Sequence, residues 1–243
     1  MGVSRHFGSL KAVEGVSFEM AAGSLHAVIG PNGAGKTTFF NLISGFLAPT
    51  AGDIWFEGNK ISAEPVVRRV ARGIVRTFQI TEIFPDLTVF ENIRVAVETS
   101  AGLNPMAWIS RRQRQALNQR CQEVIETVDL GGKADRVVGE LAHGDQRVVE
   151  VAMALSMRPR LLLLDEPTAG MGDAETDHMV ELMRRLHRER GLSILFVEHD
   201  MNIVFGIAQR ITVLDQGRKL AEGTPDEISA DPYVRAAYLG EAE

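Results

Sequence analysis

Apolar residues occur along this chain in two patterns that alternate with each other. Short, mostly apolar runs of four or five residues lie at Leu25–Ile29, Leu161–Leu164 and Ser193–Val197. Such runs are typical of parallel strands that are covered on both faces. Between them lie longer segments with helical spacing. Strands that alternate with helices predict an α/β fold built on a parallel sheet.

The helical segments place apolar residues three and four positions apart. Residues Val148 to Leu155 follow this spacing within Gln146–Met157, which predicts a helix with one buried face. The segment Thr224–Glu227 has the threonine, proline and glutamate of a helix start. Further helices are predicted over Thr37–Phe46, Glu64–Arg72, Leu87–Val97, Arg111–Val128 and Thr176–Arg190, and from about Met201.

Alternating polarity and turn residues predict shorter strands. Polar residues separate Val16, Phe18 and Met20, which is typical of a half-buried strand. From about residue 84 to 140 helical patterns dominate, and we interpret this segment as a helical insertion. Other short strands are predicted at Asp53–Phe56, Lys60-Ile61, Ile74–Phe78, Ile211–Asp215 and Arg218–Ala221.

A glycine-rich stretch follows the first buried strand and precedes a predicted helix. Glycines let backbone N–H groups point at phosphate oxygens, and the helix N-terminus adds a positive dipole. Lys36 would contact the β- and γ-phosphates, and the Thr37 hydroxyl would ligate Mg²⁺. A nucleoside triphosphate site is therefore predicted. The stretch is a complete G-x-x-x-x-G-K-S/T phosphate-binding loop, namely Gly30-Pro31-Asn32-Gly33-Ala34-Gly35-Lys36-Thr37-Thr38.

Four polar side chains near predicted strand ends suit ATP hydrolysis. Asp165 is predicted to hold Mg²⁺ through water at the end of a strand beside the phosphate-loop strand, and Glu166 to activate the attacking water as a general base. Gln79 would contact Mg²⁺ and this water, and His199 would donate to the γ-phosphate and orient Glu166. Each residue alone also fits an ordinary structural role, so the assignments depend on the set.

Composition narrows the range of partners. The chain has 243 residues, is 45% hydrophobic and 24% charged, and carries a net charge of −6. This is ordinary globular composition and gives no sign of nucleic-acid binding. No apolar run reaches the roughly 20 residues of a membrane-spanning helix. The arginines Arg111, Arg112, Arg114 and Arg120 form a basic helix face, which is either solvated or a contact for a partner or anionic lipid headgroups.

These motifs resemble, in order and spacing, the ATP-binding subunits of ABC transporters over essentially the whole chain. The resemblance includes the phosphate loop, both strand-end carboxylates, the glutamine and the histidine just described. It also includes a signature region, Leu141-Ala142-His143-Gly144-Asp145-Gln146. Phe7 falls where the family stacks an aromatic ring on adenine, although a core phenylalanine is the alternative.

The resemblance implies a P-loop NTPase architecture with ATP and Mg²⁺ as cofactors. A RecA-like core with an antiparallel β edge would comprise residues 1–83 and 151–243, with an inserted helical subdomain at 84–150. Two subunits would form a head-to-tail dimer, with each ATP between one phosphate loop and the other subunit's signature. The family usually has several more residues before Phe7, which predicts a shorter edge strand or a start codon assigned too late.

Within the ABC family the chain resembles the ATP-binding subunit of branched-chain amino acid importers. This implies a peripheral ATPase on the cytoplasmic face of the inner membrane that works with membrane permease subunits. A second ATP-binding subunit, identical or paralogous, would complete the dimer, and a periplasmic binding protein would act indirectly. The segments that carry this resemblance are Arg76–Gln79, Thr88–Asn92, about 98–115, Leu141–Gly144, Ala169–Met171 and Val197–Met201.

Coupling to the permeases is expected through about Ile80–Leu87. Ile83, Phe84 and Pro85 give this segment an apolar tip suited to docking in a groove. A packed loop is the alternative. A soluble ABC ATPase of translation or DNA repair is disfavoured, because the chain has one cassette and no coiled-coil insertion. Lipopolysaccharide export and a weakly active subunit that needs a paralogous partner remain open.

The signature departs from the Leu-Ser-Gly-Gly-Gln of the family. Ala142 lacks the serine hydroxyl, His143 replaces glycine and Asp145 replaces glutamine, whereas Gly144 is expected to keep an available backbone N–H. Loss of one neutral hydrogen bond costs about 1 kcal/mol. We therefore expect a weaker but functional contact with the partner's ATP, with His143 as a substitute donor. Ala169–Asp173 also differs from the commoner Ser-Ala-Leu-Asp, so communication between the subunits there stays open.

Overall fold

The computed structural model describes residues 2–77, 83–103 and 110–235. Gln79 and residues 80–82 of the expected coupling segment lie outside these ranges. The strands are β1 (Val3–Phe7), β2 (Leu10–Val16), β3 (Leu25–Ile29), β4 (Trp55–Phe56), β5 (Asn59–Lys60), β6 (Ile74–Arg76), β7 (Leu161–Asp165), β8 (Ser193–Val197), β9 (Arg210–Asp215) and β10 (Arg218–Gly223).

Helices connect and cover these strands. Short 3₁₀ turns lie at Gly131–Lys133 and Val138–Glu140. The helices are α1 (Lys36–Ser44), α2 (Val66–Ala71), α3 (Val89–Ser100), α4 (Arg111–Thr127), α5 (His143–Ser156), α6 (Asp173–Arg190), α7 (Met201–Ile207), α8 (Pro225–Ala230) and α9 (Pro232–Val234).

Among the described residues, six strands form the central sheet, in the order β10-β9-β3-β8-β7-β6. The strands from β9 to β6 are parallel, and β10 is antiparallel to β9. All five residues of β8 are buried, which suits the centre of a covered sheet. The prediction that the Asp165 strand lies beside the phosphate-loop strand is wrong, because β8 lies between β7 and β3.

The two faces of the sheet are covered by different elements. On one face, Leu25, Ala27 and Ile29 belong to an apolar core that includes residues of α3, α4, α5, α6 and α7. On the other face, Val28 packs in a core with Phe40 of α1 and with residues of β1 and β2. Alternate residues of β3 therefore serve two cores, as the pleat of a strand requires.

Two small hairpins, β1–β2 and β4–β5, lie outside the central sheet. The prediction of a strand from Val16 to Met20 is wrong, because β2 ends at Val16, where its last pair is with Val3 of β1. Phe18 and Met20 instead pack partly buried against the second core. The apolar pattern alone did not predict β1, since its five residues include Ser4, Arg5 and His6 and show little apolar alternation. Only the family resemblance implied an edge strand before Phe7.

The segment predicted as a helical insertion contains α3, α4 and the start of α5. Ile93, Cys121, Ile125 and Val148 are buried in a core that also includes sheet residues. Helix α5 runs from His143 to Ser156 and so crosses the boundary expected at residue 150. The division at 84–150 stays a proposal.

A cavity of about 1280 Å³ lies at the amino-terminal ends of the parallel strands. Gly23, Ile74, Leu161 and Ser193, at or just before the starts of four strands, contribute to its walls. The phosphate loop follows the opposite end of β3, so this cavity is distant from it along the strands. Within the described ranges, no helix has the length and apolarity to cross a membrane.

Candidate functional site

Glycines with positive φ shape the loop between β3 and α1. Gly30, Gly33 and Gly35 have φ values of +151°, +81° and +99°, which side chains rarely allow. A Cβ atom at Gly30 or Gly35 would also collide with a backbone carbonyl of β9 or β2, respectively. The loop is thus fixed between the sheet and the first hairpin, and α1 begins directly after it at Lys36.

Lys36 is turned onto its own loop. Its Nζ donates to the carbonyl oxygens of Gly30 at 2.7 Å and Pro31 at 3.1 Å. Burial lowers the pKa of Lys36, and the charges of Glu166 and Asp165 oppose this shift. The structure therefore brings the lysine within electrostatic reach of both carboxylates that follow β7.

The rest of the loop leaves polar groups open to a ligand. Asn32, Gly33 and Thr37 are exposed, and Thr37 is the second residue of α1. Ala34 is buried and accepts a hydrogen bond from the Gly217 N–H at 3.0 Å. The remaining predicted loop residues, Pro31, Gly35 and Thr38, are half-buried.

Asp165 is held by a buried arginine. Its Oδ2 accepts from Nη2 of Arg76 at 2.6 Å, and Nη1 of Arg76 donates to Oδ1 of Asn41 at 2.6 Å. The side chains of Arg76 and Asp165 are 7% and 2% exposed. Arg76 thus joins β6 and β7 to α1, the helix that carries Thr37.

The residues present fit a Mg²⁺ ion that arrives with a nucleotide. In the described part of the chain, no group of three or more His, Cys, Asp or Glu residues could form a closed metal site. Mg²⁺ in phosphoryl-transfer sites takes one or two protein ligands, substrate phosphates and water. The Thr37 hydroxyl and the Asp165 carboxylate are suitable oxygen ligands of that kind.

Glu166 and His199 are in direct contact. Nε2 of His199 lies 2.9 Å from Oε1 of Glu166, and both side chains are partly exposed. Glu166 has a φ of +49°, an uncommon and strained value for a residue with a side chain. Its N–H donates to the carbonyl of Val197 at 3.0 Å. The sequence-predicted base and its orienting histidine are therefore brought together.

Glu198 is a site residue to which sequence reasoning gave no role. It is 4% exposed, and its Oε1 accepts from the Thr168 N–H at 3.0 Å and the Thr168 hydroxyl at 2.7 Å. Its Oε2 accepts from the His199 N–H at 3.2 Å. Glu198 thereby ties the loop after Glu166 to His199. A glutamate directly after a fully apolar strand was the available signal.

The signature residues lie at the N-terminus of α5, with Ala142 as its N-cap residue. Nε2 of His143 is 3.3 Å from the carbonyl oxygen of Ala169. Asp145 forms an ion pair with Lys133 at 2.5 Å. The expectation of an available Gly144 N–H is wrong, because this group donates to Oε1 of Glu175 at 3.1 Å.

Phe7, expected to stack on adenine, and Phe84, expected to dock on the permease, both lie at the surface. Phe7 is 44% exposed, and the guanidinium of Arg5 lies 4.7 Å from its ring centroid. This placement disfavours the alternative of a core phenylalanine. Phe84 is 45% exposed. The Asn92 side chain holds its backbone, since Oδ1 of Asn92 accepts from the Phe84 N–H at 2.8 Å and Nδ2 donates to the Phe84 carbonyl at 3.0 Å. Ile83 instead packs against the main core.

The chain matches known proteins along its length. The family model described as "ABC transporter" matches residues 13–169, and the one described as "Branched-chain amino acid ATP-binding cassette transporter" matches residues 218–243. BraF of Pseudomonas aeruginosa, a "high-affinity branched-chain amino acid transport ATP-binding protein", is 40% identical over 99% of this chain and 96% of its own. The equivalent LivG protein of Escherichia coli is also 40% identical, with the same coverage.

A solved structure agrees with this match. The ADP conformation of MJ1267, described as an ATP-binding cassette of an ABC transporter, superposes with a TM-score of 0.86. It is 29% identical and covers 99% of this chain and 97% of that chain. The matched length and the fold agree. The chain therefore belongs to the ABC transporter family, as an ATP-hydrolysing subunit of the ATP-binding cassette type.

Proposed function

We propose that this chain energises an importer of branched-chain amino acids or of a related small polar solute. The observation that carries the proposal is the 40% identity to BraF and LivG over 99% of the chain. The match of residues 218–243 to the family model for branched-chain amino acid ATP-binding cassette transporters supports the same solute class. The subunit would lie peripherally at the cytoplasmic face of the inner membrane, with permease subunits as its partners and a periplasmic binding protein as an indirect one.

The site residues would act on Mg-ATP in distinct roles. The phosphate-loop N–H groups and Lys36 bind the phosphates, and Phe7 offers a ring to the base. Glu166 takes a proton from the attacking water, and His199 holds Glu166 in place at 2.9 Å. Thr37, Asp165 and Gln79 would hold Mg²⁺, which supplies positive charge to the transferring phosphoryl group. Of these residues, Gln79 lies outside the described ranges.

Hydrolysis requires a second subunit in this proposal. The first turn of α5, with Ala142, His143, Gly144 and Asp145, would face the ATP held by the partner's phosphate loop. ATP binding then closes the dimer, and hydrolysis reopens it. The N-terminus of the 14-residue helix α5 suits a phosphate, since its N–H groups and dipole favour anions.

Replacement of Glu166 by glutamine tests both the hydrolysis of ATP and the ATP-dependent formation of the dimer. We expect the kcat for ATP to fall at least about 100-fold, since a general base is removed. Mg-ATP should convert the variant from a monomer to a dimer in light scattering. Glu189→Gln, an exposed change on α6, should leave kcat unchanged. Retained turnover in Glu166→Gln would refute Glu166 as the base, and a persistent monomer would indicate a paralogous partner.

The permease contact and the solute need a transport assay. In membranes with the cognate permeases, Phe84→Ser should lower uptake of labelled leucine and leave the ATPase rate of the isolated subunit unchanged. Val67→Ser is the matched control, because Val67 is 78% exposed on α2. Equal uptake in the two variants would contradict docking at Phe84. Absence of leucine, isoleucine and valine uptake in the wild type would refute branched-chain amino acids as the solute and leave the related small polar solute as the alternative.

A further inference from the structure

A glutamate of α6 joins the signature to the loop that precedes this helix. Oε1 of Glu175 accepts from the Gly144 N–H at 3.1 Å, and Oε2 accepts from the Gly172 N–H at 3.2 Å. Gly144 lies in the first turn of α5, and Gly172 is the N-cap residue of α6. One carboxylate therefore serves the N-termini of two helices.

The approach of Glu175 explains why position 144 is a glycine. A Cβ atom at Gly144 would lie 2.7–2.8 Å from the Cβ, Cγ and Cδ atoms of Glu175. Real Cβ atoms do not tolerate such contacts, so any side chain at 144 would displace Glu175 or α5. Gly144 has an ordinary negative φ, so the close approach and not the backbone conformation requires glycine here.

Other contacts hold the same two segments together. His143 contacts the Ala169 carbonyl at 3.3 Å. Thr168, one residue earlier, is bound to Glu198, which also accepts from the His199 N–H. The first turn of α5 is thus connected, within one subunit, to the loop that leads from Glu166.

We propose that Glu175 is a latch: its carboxylate holds the Gly144 N–H within one subunit and must release it before the partner's ATP can dock on α5. This inference rests on the proposed function, since the dimer brings the second phosphate. A carboxylate and a γ-phosphate are both anions that bind helix N-terminal N–H groups. They compete for the same donor, so Glu175 raises the ATP concentration needed for dimer formation.

The substitution Glu175→Gln weakens the latch without removing the helix cap. Glutamine at this position of a capping box still accepts from the N-cap N–H. Loss of the charge, however, weakens the hydrogen bond from Gly144, since bonds to ionised acceptors are about twice as strong as neutral ones. Glu175 acts through Gly144 and so is a positioning residue.

Glu227→Gln is the matched control. Glu227 has the same position in α8, where its Oε2 accepts from the Thr224 N–H at 2.8 Å. It makes the same kind of cap on a helix that does not carry the signature. A merely structural effect of losing a capping charge should appear in both variants and can be compared by thermal unfolding.

The measurement is the ATP concentration that gives half-maximal dimer in the Glu166→Gln background. We expect Glu175→Gln to lower this ATP concentration about tenfold, which corresponds to a change of about 1.4 kcal/mol in free energy. Glu227→Gln should leave the concentration unchanged. Hydrogen exchange of the Gly144 amide in the nucleotide-free protein should be faster in Glu175→Gln only.

The outcomes separate the latch from the proposed function. If the Glu166→Gln protein dimerises and Glu175→Gln has the same half-point as Glu227→Gln, the latch is refuted and the transport function stands. Unchanged exchange at Gly144 in Glu175→Gln also refutes the latch. If no variant dimerises at saturating ATP, the self-pairing dimer is refuted, and the latch with it.

Discussion

Arg76 determines how Asp165 is held among the residues of the site. Its guanidinium reaches Asp165 on β7 and Asn41 on α1, both at 2.6 Å. It also lies 5.7 Å from the centroid of the Phe40 ring. A charge pair this deeply buried fixes one carboxylate oxygen and so orients the other.

Arg76→Met should lower the free energy of unfolding by about 3 kcal/mol, because removal of one partner leaves a buried charge uncompensated. Urea denaturation followed by circular dichroism measures this change. The control is Arg72→Met, which breaks a more exposed pair with Glu64 and should cost less than about 1 kcal/mol. Equal losses in the two variants would contradict the role assigned to Arg76.

His26 gives the fold a dependence on pH. It is 1% exposed, and its Nε2 lies 2.9 Å from the Thr212 hydroxyl. Burial lowers its pKa to about 4, a shift that the charge of Glu222 opposes and those of Arg210 and Lys219 reinforce. The folded protein therefore keeps His26 neutral at a pH where the unfolded chain protonates it.

Stability should consequently fall as the pH decreases from about 6.5 to about 4, by about 3 kcal/mol from this histidine. More than about one pH unit above 6.5 both states are neutral at this residue, and its contribution no longer changes. His26→Asn should flatten this part of the stability curve, measured by urea titrations at several pH values. His178→Asn, at an exposed position of α6, should follow the wild-type curve.

The positions of several candidate-site residues could be predicted from the sequence, because the neighbouring residues along the chain are sufficient to recognise them. The phosphate loop, Asp165, Glu166 and His199 each follow a strand that apolar composition predicts. The partners Arg76 and Glu175 could not be found in this way. Arg76 meets Asp165 across 89 residues, and Glu175 meets Gly144 across 31, so only the folded chain brings them together.

Among the elements, β8 contributes most to the arrangement of the site. It lies between β3 and β7 and ends at Val197, directly before Glu198 and His199. Its continuous apolar sequence predicted a strand but not the place of that strand in the sheet. Strand order depends on the crossover connections, and the composition of a single strand does not contain that information.

Glu198→Ala should separate the loop after β7 from the end of β8. The Thr168 N–H and hydroxyl would lose their buried acceptor, which costs about 2 kcal/mol of stability. The displaced contact of His199 with Glu166 should lower kcat for ATP more than it changes KM. Glu198→Gln keeps one acceptor oxygen and should lose less of both; steady-state kinetics and thermal unfolding measure the difference. An unchanged kcat in Glu198→Ala would exclude this coupling.

At the scale of the whole molecule, distant parts of the chain build the nucleotide site. The phosphate loop follows β3, whose two neighbours are β8 and β9. Both neighbours lie more than 160 residues after β3 in the sequence. The phosphate loop therefore depends on contacts between β3 and strands from the C-terminal part of the chain. Contacts between residues so far apart in sequence have a larger entropic cost of loop closure than local contacts have.

A fragment of residues 1–157 should therefore not bind nucleotide, although it contains the complete phosphate loop. Without β7, β8 and β9, the apolar residues of β3 have no sheet to join. Circular dichroism and the fluorescence of a labelled ADP measure folding and binding. Binding should return when residues 158–243 are co-expressed and purified with the fragment. Tight binding by the fragment alone would contradict this dependence on β8 and β9.

The strained backbone of Glu166 makes selection for stability and selection for activity diverge. Glycine or asparagine adopts a φ near +49° at lower cost than glutamate does. A library randomised at this position and sorted only for heat resistance should become enriched in glycine and asparagine. The same library sorted for growth that depends on solute uptake should return glutamate. In the proposed mechanism, the strained backbone of Glu166 persists because its carboxylate is the general base, which neither glycine nor asparagine supplies.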